Sequence, residues 1–264
     1  TKGANIVIKA DITLDKFTSN KTENIQMYYY NENSNLYAKA VTSNSETIGE
    51  ASTPVTFVAP SGVNATHTMT GYDDEGSSIV NISDGKEEAT IAVHGPSREL
   101  TIGGSIINNY SNEISNVVIL GRLPVKDNKN VDTGEALGST FDAPLSGAIQ
   151  VSGTEGATIY YSENVDATND LGLQTNGWTT SPSNWANVKS YMIVLANNMA
   201  ASARVDFTYN ATLPADLAYG NSTYEMYKVF YTNNATEATI NETKISSIIG
   251  LTTGQGPELQ IEMA

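Results

Sequence analysis

Apolar and polar residues alternate in short runs along most of the chain, and this two-residue period predicts strands. Residues 5 to 14, NIVIKADITL, set Ile6, Ile8, Ala10 and Ile12 against Val7, Lys9, Asp11 and Thr13. Residues 25 to 30 and 36 to 41 bracket the turn-forming cluster NENSN, and further short runs follow at 54 to 58, 67 to 69, 79 to 82 and 89 to 93. Strands this short, punctuated by Gly, Asp and Pro, predict a β-sandwich or barrel. His94-Gly95-Pro96-Ser97 interrupts the pattern, because Pro cannot donate to a ladder and Gly weakens a strand. A domain boundary is expected there, giving one domain over 1–96 and a second over 97–264.

The second domain is expected to open with a β-hairpin over Thr101 to Pro124, in which Ile106 and Ile107 lead through Asn108 and Asn109 to the run Val117 to Leu120. A polar loop, Lys126 to Gly138, comes next. Strands are expected at 149 to 152, 157 to 161, 188 to 195, 203 to 213 and 224 to 231, with a long loop over 163 to 177. Lys244 to Ile249 reads as a short helical turn, and Glu258 to Met263 as a closing strand. No stretch has the period of a long helix, so the fold class is all-β.

Composition narrows the function. With 14 basic residues against 29 acidic ones the net charge is −15, which disfavours nucleic acid and anionic membrane surfaces as partners. The absence of cysteine excludes disulfides, thiolate metal sites and a cysteine nucleophile. No apolar run reaches the roughly 20 residues of a membrane span, and no signal sequence begins the chain. The expectation is therefore an excised or mature segment of something longer. Charged residues are only 16% of the chain, and the wealth of Ser, Thr, Asn, Gly and Tyr suits β-structure with polar loops.

Four stretches carry a resemblance: ATIYYSENVDATNDL from 157, NGWTTSPSNWANVKSYMIVL from 176, YEMYKVFYTNN from 224 and GLTTGQGPELQIEM from 250. Their succession over roughly 100 to 264 resembles a module of large Gram-positive bacterial surface proteins, related in style to the bacterial Ig-like and DUF11-style sandwiches of adhesin stalks. The resemblance, which covers only the second domain, implies an extracellular and cell-wall-associated location and neighbouring domains of the same surface protein as partners; the fold expected for the whole chain is two tandem Ig-like β-sandwich domains. A host or bacterial glycan or matrix protein is a candidate external partner. No catalytic residue is carried across. Stalk domains of this style often hold Lys–Asn isopeptide crosslinks, which makes Lys9, Lys189 and Lys228, all in expected strands, the candidates; a buried ammonium is costly unless paired. Snorkelling at a sheet edge is the commoner fate of such lysines.

Other chemistry is weighed against simpler uses of the same residues. Asn164, Asp166, Thr168 and Asp170 fall at every second position, resembling the alternating oxygen ligands of a calcium loop. The EF-hand form is excluded, since Asn169 and Thr175 stand where it requires Gly and Glu; turn formation explains the same residues. Asp127, Asn128, Asn130 and Asp132 form a weaker acidic loop, and Asp73-Asp74-Glu75 reads as a solvated turn. The two histidines, His67 and His94, have no G-x-S-x-G elbow for a Ser-His-Asp triad. Tyr28 to Tyr30, Tyr160, Tyr161, Trp178 and Trp185 offer rings for sugar stacking, although strand alternation turns about half of them into the core. Eight Asn-x-Ser/Thr sequons run from Asn20 to Asn241 and count only where a glycosylation machinery exists. The leading expectation is a non-enzymatic stalk, spacer or adhesive unit. The alternatives are a subunit of an extracellular filament or surface layer, and a polysaccharide-binding module.

Overall fold

The computed structural model describes residues 21–29, 49–57, 62–83, 88–92, 97–233 and 240–254. The chain divides into two compact units, Thr1–Ser61 and Gly62–Ala264. In the first, β1 (Lys21–Tyr29) and β2 (Gly49–Phe57) form an antiparallel ladder in which Lys21 pairs with Phe57 and Tyr29 with Gly49. The expected strands at 5–14, 36–41 and 258–263 lie outside the described residues.

The second unit is a β-sandwich. One sheet runs in the order β4 (Ser78–Ile82), β3 (Val63–Tyr72), β6 (Arg98–Asn108), β11 (Arg204–Leu213), β8 (Gln150–Ser152). The other runs β5 (Glu88–Ala92), β14 (Ile249–Gly254), β12 (Ser222–Asn233), β7 (Ile114–Arg122), β10 (Ser190–Val194), β9 (Thr158–Ser162). A further strand, β13 (Ile240–Ile245), pairs with the C-terminal half of β12. Every named pair is antiparallel except β5 with β14. The all-β class read from the sequence is the class found.

Alternation builds the core as the period predicts. In β3, Val63, Ala65, His67 and Met69 point inward while Asn64, Thr66, Thr68 and Thr70 face out; in β11, Val205, Phe207, Tyr209 and Ala211 do the same. The two faces meet through rings, with Tyr191 of β10 against Phe207 at 5.7 Å and Tyr227 of β12 against Phe207 at 5.2 Å. The close fit needs bare backbone at two positions. A Cβ on Gly104 would lie 2.3 Å from the Phe207 ring, and one on Gly121 would lie 2.0 Å from the Tyr191 ring.

Three expectations change. The boundary expected after residue 96 falls inside the second unit, because β3 pairs with β6 from Val63↔Asn108 to Gly71↔Leu100 and β5 pairs with β14. β5 ends in one sheet at Ala92 and β6 begins in the other at Arg98, and a change of sheet interrupts strand patterning just as a domain junction would. The expected hairpin over 101–124 is instead a corner. β6 pairs with β3 and β11, β7 pairs with β12 and β10, and the two do not pair with each other. Asn108 turns the corner: its buried amide donates to the carbonyls of Asn112, Met199 and Ala200 at 2.9–3.1 Å and accepts from the Tyr110 N–H at 3.0 Å. Lys244 to Ile249, read as a helical turn, is the end of β13 and the start of β14; edge pairing with β12 decides its conformation over the local pattern.

Candidate functional site

Two places in the second unit concentrate polar side chains: a long loop on the outside of the larger sheet and a cluster inside the sandwich.

The outer face of β7, β10 and β12 is covered, since Leu120, Met192 and Met226 are buried. The loop between β9 and β10 lies over part of it, anchored by Arg122. That guanidinium donates to Ser190 Oγ and to the Ala167 carbonyl, both at 2.9 Å. Burial pushes it down to about 10, against the opposing pull of Asp166. Asn176, itself buried, ties the loop together by donating to Thr168 Oγ1 at 2.9 Å and the Asp170 carbonyl at 2.7 Å, and by accepting from the Thr168 N–H at 3.0 Å.

The four residues singled out for calcium sit in this loop, and their oxygens already have protein partners. Asn164 Oδ1 accepts from the Asp166 N–H at 2.8 Å, and Asp170 Oδ1 from the Gly172 N–H at 2.8 Å. Thr168 Oγ1 serves Asn176, and both Asp166 oxygens accept from Lys129 Nζ at 2.8 and 2.9 Å. The Asn164 and Asp170 contacts are Asx turns that such residues form by themselves, while Asp166 is held by an ion pair and Thr168 by the Asn176 amide. Among the described residues no three His, Cys, Asp or Glu side chains are grouped to hold an ion. The second acidic loop behaves similarly: Asn130 Oδ1 accepts from the N–H groups of Asp132 and Thr133, and buried Asn128 donates to the Leu123 and Tyr224 carbonyls. Asp73 closes its own turn through the Glu75 and Ser77 N–H groups.

Of the lysines, Lys189 is exposed and Lys9 lies outside the described residues. Lys228 is largely covered and meets Asp132 Oδ1 at 2.6 Å, with its ammonium 5.1 Å from the Phe230 ring centroid. Of the aromatics, Tyr161 is buried and its hydroxyl accepts from the Ile149 N–H at 2.9 Å. Trp185 packs edge-on against it at 4.9 Å, and Trp178 Nε1 donates to the Thr168 carbonyl. A cleft of about 600 Å³ opens beside them, with Tyr161 and Val188 in its floor and Asn164, Thr179 and Pro182 at its rim. The side chains of Tyr28 to Tyr30, and all of His94, lie outside the described residues.

The inner cluster was not visible in the sequence. Glu225 occupies a core position of β12, where strand alternation calls for an apolar residue, and is fully buried. Its Oε1 faces His67 Nε2 of β3 at 3.6 Å, and its Oε2 accepts from the Tyr209 hydroxyl of β11. His67 Nδ1 is 3.1 Å from the Ser247 carbonyl, which fixes the proton on that nitrogen and leaves Nε2 as an acceptor. The Tyr191 hydroxyl, from β10, is buried there without a partner. Burial pushes the Glu225 carboxyl up to about 8, with the Tyr209 bond opposing, and pushes the His67 imidazole down to about 4, with the Ser247 bond opposing. Burial, with the carboxyl's charge adding to it, also raises Tyr191 and Tyr209 well above the ordinary phenol range. Near pH 6 the arrangement is a neutral chain, with protonated Glu225 aimed at His67 Nε2. Enclosed within the core, the acid has no route to a substrate, and His67 takes no part in a Ser-His-Asp triad.

No known protein family matches the sequence, and no curated protein matches it. Solved structures give remote likenesses. A protein of Corynebacterium diphtheriae described as membrane anchored aligns at 11% identity and a TM-score of 0.40, over 83% of this chain and 42% of that one. The C-terminal domain of the Streptococcus agalactiae AgI/II polypeptide BspA aligns at 10% identity and 0.31, over 78% and 54%. The major pilin subunit BcpA of Bacillus cereus, in its D312A form, aligns at 10% and 0.32, over 76% and 50%. The chain thus spans about half the length of these structures or less.

Proposed function

We propose that this chain is a non-enzymatic extracellular module of a bacterial surface protein that serves as a stalk or spacer unit in attachment. The carrying observation is where the described residues of the second unit begin and end. They begin at Gly62, whose carbonyl accepts from the Asn109 N–H at 2.9 Å, beside the corner where Asn112 donates to Asn233 at the C-terminal end of β12. The last described residue, Gly254, lies just past Thr252, which pairs with Ser222 at the N-terminal end of β12. Twelve residues of strand separate those ends, about 35 Å. Strands that run this length of the unit suit a spacer, which must set its two ends apart.

Other observations agree with this reading. The polar loops spend side chains on their own turns, the one buried carboxyl among the described residues is sealed in the core, and the chain has no cysteine to depend on redox conditions outside a cell. Adhesion is the second reading, favoured by the cleft beside Tyr161. The test is a screen of the purified chain against bacterial and host polysaccharides and matrix proteins, with light scattering reporting its mass. A spacer shows no saturable binding and a constant mass. Saturable binding would replace this reading with an adhesive one, and growth in mass would replace it with filament assembly.

A further inference from the structure

We infer that Tyr110 and Tyr231 form a site of oxidative cross-linking, at which a one-electron oxidant, such as a peroxidase acting with hydrogen peroxide, joins the two rings into a biphenol. The inference concerns these side chains alone and does not depend on the spacer reading.

Tyr110 lies on the corner segment that follows β6, and Tyr231 lies in the C-terminal half of β12. Their hydroxyls are 3.5 Å apart and their ring centroids 6.3 Å apart, with the rings inclined at 53°. The rings therefore approach through their hydroxyl-bearing ends. In a phenoxyl radical the unpaired electron is shared between the oxygen and the carbons ortho to it, so the reactive carbons flank those same ends. Both hydroxyls donate to Oε2 of Glu242 on β13, that of Tyr231 at 2.8 Å, and Glu242 stands directly across the ladder from Tyr231. Glu242 Oε1 accepts from Asn233 at 3.4 Å, and Asn233 in turn accepts from Asn112 at 3.1 Å.

The three groups hold the protonation states that the chemistry needs. The bonds from Tyr110 and Tyr231 keep the Glu242 carboxyl below the ordinary carboxylate range, so it is ionised at neutral pH. Burial, with the Glu242 carboxylate adding to it, raises both phenols above theirs, so each keeps its proton. A phenol gives up an electron more readily when a base receives its proton in the same step, and Glu242 Oε2 is within hydrogen-bond reach of both.

The oxidant takes one electron from Tyr110 while the phenolic proton passes to Glu242, which is half-buried and releases it to water. A second electron and proton leave Tyr231 by the same route. The two radicals pair in one carbon–carbon bond between ortho positions, and the hydrogens on those carbons move to the oxygens, restoring both phenols. The chain has then lost two electrons and two protons, which convert one hydrogen peroxide into two waters. Tyr110, on the corner segment outside the strands, is the ring that moves to close the gap. The bond joins residues 121 positions apart and staples the corner to β12 in a chain without cysteine.

Ring proximity alone does not select this pair. Tyr191 and Tyr209 have centroids only 5.8 Å apart, but they are sealed in the core, and the carboxyl beside them, Glu225, already carries a proton at neutral pH. They have neither a base nor a path for protons to water.

The test treats the full chain, in dilute solution at neutral pH, with a haem peroxidase and hydrogen peroxide. Trypsin releases Tyr110 in residues 99–122 and Tyr231 in residues 229–244, and neither peptide holds another tyrosine. Mass spectrometry should find these two peptides joined, lighter than their sum by two hydrogens, in protein that is still monomeric. Tyr110→Phe and Tyr231→Phe keep the rings, and each should abolish the joined product. Glu242→Gln should slow its formation roughly tenfold or more, while oxidation of Tyr72 and Tyr219, which are 55% and 67% exposed, proceeds unchanged. Oxidised wild-type protein without the joined peptides, or with tyrosines linked only between molecules, would overturn the inference, as would a joined product that survives in Tyr110→Phe. An undiminished rate in Glu242→Gln would overturn the part given to Glu242.

Discussion

Glu225 makes a quantitative prediction possible, because a carboxyl held neutral in the core couples stability to pH. In the folded unit Glu225 titrates near 8 and His67 near 4, against ordinary values of 4.5 and 6.5 once unfolded. The raised carboxyl contributes stability that is full below pH 4.5 and is lost as pH climbs to 8. The depressed imidazole contributes stability that is full above pH 6.5 and is lost as pH falls to 4. Between 4.5 and 6.5 the folded pair holds one proton, on Glu225, and the unfolded pair also holds one, on His67. The slopes cancel and the pair leaves stability level there. From 6.5 to 8 only the folded state keeps its proton, so stability falls by about 1.4 kcal/mol per pH unit, roughly 2 kcal/mol in all.

Glu225→Gln keeps the shape and the bond from Tyr209 while removing the titration. Urea unfolding of both proteins at pH 5.5, 6.5, 7.5 and 8.5, followed by tryptophan fluorescence, reads the effect. Both tryptophans, Trp178 and Trp185, lie in the second unit. Taking the difference between variant and parent removes the titration of every other group that behaves alike in both. The amide variant should gain about 1.4 kcal/mol on the parent from pH 5.5 to 6.5, where its remaining His67 slope is no longer cancelled by Glu225, and about 2 kcal/mol more between pH 6.5 and 8.5. Parallel curves across the whole range would refute the reasoning. A charged Glu225–His67 ion pair would reverse the sign near pH 6, since removing one partner of a buried pair costs about 3–5 kcal/mol.

Three further outcomes follow from the geometry. Asn176→Ala deprives Thr168 and Asp170 of their partners inside the long loop, and should cost about 2–3 kcal/mol in a urea titration while making the loop between β9 and β10 the first site of proteolytic cleavage. Gly121→Ala drives a methyl into the Tyr191 ring; it should lower stability by about 1–3 kcal/mol or more, whereas Gly134→Ala, in open space at a φ of 75°, should cost only its backbone strain. If the loop over Asn164 to Asp170 is satisfied by its own bonds, the melting temperature should be the same in calcium and in chelator, and a calcium-dependent rise that disappears in Asp166→Asn would show instead that the loop rearranges around an ion.

What the sequence could show depended on how locally each feature was determined. Strand patterning was legible wherever one face meets the core and the other meets water, as in β3 and β11, because burial then imposes a two-residue period on the residues themselves. Partnership was not legible. Ile106 to Leu120 has the composition of a hairpin, yet Asn108 sends the two strands into different sheets through carbonyls of residues some 90 positions away. The loop over Asn164 to Asp170 was visible as a cluster of side-chain oxygens, but whether those oxygens face an ion or their own backbone depends on Asn176 and Lys129, which no spacing rule links to them.

Glu225 shows the limit most clearly. In YEMYKVFY it reads as one more polar residue on an alternating strand, and its neighbours give no warning that Tyr224, not Glu225, is the side chain left partly in water. Its register is set by Tyr227, Val229 and Tyr231, three inward residues on the same face, whose combined burial outweighs the cost of taking one carboxyl inside. The carboxyl then survives by keeping its proton, with His67 and Tyr209 arriving from two other strands to receive it. Sliding β12 by one residue would turn all three side chains out of the sandwich core in order to free one acid. Neutralising the acid is the smaller cost, and a strand fixed on both edges by β7 and β14 has no intermediate position to adopt.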